Sequence, residues 1–64
     1  MNSESSSAGT PEGPRDTAQY IEALARDLKR LAAAADLGFL AYLLAMVEDD
    51  AGATVKRLDE GARG

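Results

Sequence analysis

From Leu37 to Val47 the chain reads "LGFLAYLLAMV", eleven residues without a charge, and then stops at Glu48, Asp49 and Asp50. On a helix turning 100° per residue, the apolar arc from Tyr42 round to Leu44 is about 200° wide, roughly twice the stripe a core-facing helix needs. One antiparallel neighbour covers about half of such an arc. The 64-residue chain has no cysteine and no histidine, so neither a disulfide nor a structural zinc site can hold a small core together. Self-association is the route left.

Upstream lies a second helical pattern, expected over about residues 16–35. Asp16 and Gln19 have capping-box spacing, with Pro14 just outside. Tyr20, Ile21, Leu24, Leu28 and Leu31, continued by Ala35, recur every three or four residues on a stripe about 100° wide. That stripe is assigned to the core. Ala23 and Ala34 flank it on one side, Ala25 and Ala32 on the other, so a neighbouring backbone can come close. Glu22 and Arg26 form a favourable i,i+4 pair on the far face, and Lys29 and Arg30 suit the negative pole of the helix.

The patterns are broken at "ADLG", where Asp36 and Gly38 tolerate turn geometry. So short a link makes the helices antiparallel neighbours. Helix 2 is expected over about residues 38–60, with one seam (Leu40, Leu44, Val47, Ala51, Val55 and Leu58) matching helix 1. A second row, Phe39, Leu43 and Met46 with Tyr42 beside them, turns away from it. Gly52 inside the pattern costs about 1 kcal/mol relative to Ala. The acids at 48–50 would be misplaced near a helix C-terminus, so helix 2 is expected to run through Gly52. Gly61 reads as its C-cap, with residues 61–64 frayed. Residues 1–15, "MNSESSSAGTPEGPR", hold no large apolar residue beyond Met1 and read as a disordered tail.

The fold class that follows is all-α: an antiparallel helical hairpin that dimerises into a four-helix bundle. Phe39, Tyr42, Leu43 and Met46 are the candidate interface, meeting their copies across a twofold axis.

The net charge is −4, distributed as −1 over residues 1–15, 0 over 16–35 and −3 over 36–64. No basic stripe exists, which argues against nucleic acid or an anionic membrane as partner. Arg26, Lys29 and Arg30 are the candidate anion or nucleic-acid contact, thin and balanced by nearby acids. Adjacent helix residues diverge, so Glu48, Asp49 and Asp50 cannot converge on one cation. No nucleophile is paired with a base, and neither a phosphate loop nor a metal motif is present. The expectation is a non-enzymatic protein with no cofactor. The apolar run is too short to span a bilayer and the N-terminus lacks the basic and apolar regions of a secretory signal, so a cytoplasmic location is expected.

Residues 20–46, "YIEALARDLKRLAAAADLGFLAYLLAM", resemble a group of short, uncharacterised alphaproteobacterial proteins. The matching elements are Tyr20-Ile21, the spacing of Leu24 and Leu28, and the "LAYLL-x-M" segment from Leu40 to Met46. The resemblance implies a small bacterial helical protein and brings no activity with it. In architecture the chain also looks like the Rop family, acidic helical hairpins of similar length that dimerise and bind RNA through one outward face. The leading expectation is a self-associating protein that acts through protein–protein contacts, as a small regulator. The alternative is a Rop-like RNA- or DNA-binding bundle, with Arg26, Lys29 and Arg30 as its contacts.

Overall fold

The computed structural model describes residues 12–63. They form an all-α antiparallel hairpin: α1 (Gly13–Ala34) and α2 (Gly38–Arg63). The tail expectation falls mostly on residues 1–11, outside the described residues. Residues 12–15 do not follow it. Glu12 is the N-cap, without a side-chain capping bond, and Pro14 lies in the first turn, where its missing N–H has no partner to lose. Gly13 takes φ +80, a value open to a residue without Cβ. Its carbonyl accepts from Thr17 Oγ1 at 2.8 Å. The helix thus starts three residues before the expected Asp16, which becomes an acid inside the first turn rather than a cap.

The turn has a specific chemistry. The Leu37 N–H donates to the Ala32 carbonyl at 2.8 Å and the Asp36 N–H to the Ala33 carbonyl at 3.1 Å. This is the Schellman pattern, with the left-handed residue at C′. Asp36 fills that position at φ +66. Gly38, the other candidate for unusual dihedrals, is simply the first residue of α2. The Leu37 carbonyl accepts from Ala41 N–H at 2.9 Å, opening the α2 ladder. α2 continues through Gly52, as expected, and also through Gly61, so Gly61 is not its C-cap.

The seam between the helices corrects the expected core. The buried residues are Ala18, Ala25 and Ala32 on α1 and Ala51 on α2, each no more than 8% exposed. Ala18, Ala25 and Ala32 are spaced by seven, the interval that keeps one line of a helix against an antiparallel partner. Leu44, Val55 and Leu58 of the expected α2 seam are half-buried, whereas Leu40 and Val47 are exposed. On α1 the whole assigned core stripe of Tyr20, Ile21, Leu24, Leu28 and Leu31 is exposed.

The physical reason is distance. Alanine lets two backbones approach closely, and a leucine on that line would push them apart. Gly52 of α2 faces the Glu22 side chain, and a Cβ there would lie 2.9 Å from Glu22 Oε2. The apolar stripe of α1 is therefore turned to one side of the seam instead of into it.

Candidate functional site

The seam divides the hairpin into two unlike faces. Taking Ala25 as reference, Lys29, Glu22, Arg15 and Arg26 lie about 40–100° to one side at 100° per residue. Ile21, Leu28, Leu24 and Leu31 lie about 40–120° to the other side. On α2, taking Ala51 as reference, Glu48 and Asp59 lie about 60–80° to one side. Leu40, Val47, Leu43, Phe39 and Met46 lie about 20–140° to the other.

Observed contacts align the two polar sides. Arg26 Nε donates to Glu48 Oε2 at 3.0 Å and Lys29 Nζ to Glu48 Oε1 at 2.7 Å. At the open end Arg15 Nε donates to Asp59 Oδ1 at 2.6 Å, and its Nη2 reaches Asp59 Oδ2 at 3.3 Å. Arg26 Nη2 is also 3.6 Å from Glu22 Oε2. Every ion pair between the helices among the described residues lies on this face. The apolar sides of both helices consequently share the opposite one.

That opposite face is the candidate site. Among the described residues twelve large apolar side chains are exposed, from 39% for Leu43 to 72% for Phe39. The nine that the helical angles place on this side, Ile21, Leu24, Leu28 and Leu31 with Leu40, Leu43, Val47, Phe39 and Met46, together expose on the order of 700 Å². Monomeric proteins seldom show contiguous apolar patches above a few hundred Å². The Arg26–Glu48 and Glu22–Gly52 contacts set the register, so Leu28 and Leu31 of α1 lie level with Leu43 and Val47 of α2 in the half nearer the turn, while Ile21 and Leu24 lie level with residues 50–53. The face continues round the outer flank of α2.

All four residues expected at the interface are exposed. Leu43 and Phe39 belong to the shared face, Met46 lies at its outer margin, and Tyr42 points away from α1. The rings of Phe39 and Tyr42 stack with centroids 6.5 Å apart and planes at 24°. Sequence reasoning missed the α1 half of the face. The signal available was the heptad spacing of Ala18, Ala25 and Ala32, which marks a close-approach line about 90° from the leucine stripe.

The polar face is self-satisfied. Hydrogen bonds from Lys29, then Arg26, stabilise the charged form of Glu48 and hold its carboxyl below the ordinary carboxylate range. Asp59, by the same logic, raises the Arg15 guanidinium above its already high value. Of the candidate anion contacts, Arg26 and Lys29 both face Glu48, and Arg30 lies 3.5 Å from Asp27. Glu48 is turned to those cations and away from Asp49 and Asp50. Among the described residues no three carboxylates gather where a cation could be held. Nor, among them, is any helix long and apolar enough to cross a membrane.

No family model, no curated protein and no solved structure matches the chain, so the functional argument rests on this two-faced geometry.

Proposed function

We propose that the protein is a non-enzymatic helical hairpin that self-associates through its apolar face and works by protein–protein contact, as a small regulator in the cytoplasm. One observation carries this reading. Both helices place most of their large apolar residues on the same open side, while the ion pairs that join the helices lie across the other. A face of this kind is what one half of a four-helix bundle presents before its partner arrives. The polar face would then be the outside of the assembly.

The reading is tested by sedimentation equilibrium of the purified chain at micromolar concentrations. The expected result is the mass of two chains; a single-chain mass throughout, with full helix content, contradicts it.

The nucleic-acid alternative has weaker support. Its cations Arg26 and Lys29 would have to leave Glu48 to reach a phosphate, and doing so would open the connection between the helices. A gel shift with structured RNA discriminates, since phosphate contacts give binding that weakens steeply with salt.

A further inference from the structure

We propose that a second copy of this chain, laid on the face shared by α1 and α2, completes the hydrophobic core, so that the hairpin has no folded state on its own. This rests on the self-association reading and goes further: it names the surface and makes assembly a condition of folding. Its centre is Leu28 and Leu31 with Leu40, Leu43 and Val47, and Ile21 and Leu24 extend it toward the open end. Phe39 and Met46 are at its margin, with Tyr42 beyond them on the outer flank of α2.

The first support is what the hairpin lacks. Among the described residues the buried interior consists of four alanines beside half-buried Leu44, Val55 and Leu58, with no large side chain fully buried. So little apolar surface withdrawn from water does not offset the ordering of some fifty residues. Helices in proteins draw most of their stability from packing an apolar face rather than from propensity. Here that face is unpacked.

The second support is what can cover it. Residues 1–11, "MNSESSSAGTP", carry no large apolar side chain besides Met1 and cannot fill the role. The polar face of another copy cannot either, because its charges are already paired and would be stripped of water against leucine. The apolar face of a second copy matches in chemistry and in extent. A stable interface of standard size takes about 800 Å² from each partner, and the apolar area of this face is of the same order. A twofold axis uses the same patch twice and leaves both polar faces outward.

The experiment follows helicity and mass together while the full chain is diluted. Circular dichroism is recorded through the concentration range in which sedimentation shows two chains becoming one. In parallel, Leu28→Cys and Arg30→Cys give single thiols in a chain with none, and their reaction with a colorimetric disulfide reagent is timed.

The expected result is that helicity is lost in step with dissociation and that the midpoint of thermal unfolding rises with concentration. The thiol of the Leu28→Cys chain, protected at least about tenfold in the concentrated sample relative to the dilute one, should lose its protection at the dilution where sedimentation of that same variant shows two chains becoming one. The thiol of the Arg30→Cys chain should react fast throughout. Helicity that survives in a dissociated single chain overturns obligate assembly and leaves self-association standing. A dimer in which the thiol at position 28 reacts as fast as the one at position 30 overturns the choice of surface. A single chain that is helical at every concentration overturns both this inference and the reading beneath it. One that is unfolded at every concentration overturns the second copy as occupant.

Discussion

Lys29 Nζ lies 2.7 Å from Glu48 Oε1 across the seam between α1 and α2. The same carboxylate takes Arg26 Nε on its other oxygen at 3.0 Å. Glu48 is thus held by two cations of the opposite helix, and it closes an uncharged run whose neighbours face the other way. A single residue marks where the polar face begins.

Acid should loosen this connection. Lys29 and Arg26 favour the ionised form, so the folded chain holds Glu48 at a lower pKa than the unfolded chain does. The unfolded state therefore takes up the proton first as pH falls. The contribution is complete above the ordinary carboxylate range and is lost as pH drops through the folded value. Urea denaturation followed between neutral pH and pH ~3 should show an acid limb that Glu48→Gln flattens. An acid limb unchanged by that substitution would locate the effect elsewhere.

At the turn, Asp36 is an L-residue at φ +66, where a Cβ is crowded. Asp36→Gly removes that strain and keeps both Schellman bonds, against the greater freedom glycine has when unfolded. The expected net gain is about 0.5–1 kcal/mol in chemical denaturation. A loss would mean the Asp36 side chain supplies something the backbone geometry does not require.

Gly52→Ala sets two effects against each other. Helix propensity favours alanine by about 1 kcal/mol. The new Cβ would lie 2.9 Å from Glu22 Oε2, the far end of a side chain that can swing aside. Propensity should win, leaving a gain of up to about 1 kcal/mol. Adding Glu22→Ala should leave that gain intact. A destabilised Gly52→Ala restored by the second change would show instead that the Glu22 position is fixed.

Ala25, at 3% exposure, is the most enclosed of the buried side chains. Ala25→Leu should force the helices apart at a cost of about 1–3 kcal/mol, although it raises the apolar content of the chain. Leu28→Ala, one turn away on the open face, should instead weaken association. Thermal melts at several concentrations separate the two: the first variant shifts the curve at every concentration, the second mainly when dilute.

Much of this architecture can be read along the chain. The three-to-four spacing from Tyr20 to Leu31, the interruption at Asp36 and Gly38, and continuity past Gly52 all specify two antiparallel helices. The assignment of faces cannot be read the same way. Leucine periodicity shows which side of α1 is apolar, but not whether that side meets α2 or a different chain. Small side chains decide it, because the alanine line at 18, 25 and 32 admits a closer backbone than the leucine line does. The Arg15 pairing with Asp59 is equally hidden, since it joins residues 44 apart and rescues Arg15 from a segment that reads as tail. At α1's start, Asp16 and Gln19 have capping spacing, yet Pro14 and the positive φ of Gly13 allow the helix to begin earlier.

The most direct measurement is an isotope-filtered nuclear Overhauser experiment on a sample mixed from labelled and unlabelled chains, which reports only contacts between copies. The account expects cross-chain contacts at the methyl groups of Leu24, Leu28, Leu43 and Val47, and none at Ala18 or Ala25. A well-ordered hairpin whose leucine methyls show no cross-chain contact, and respond instead to a paramagnetic agent dissolved in the water, would contradict it.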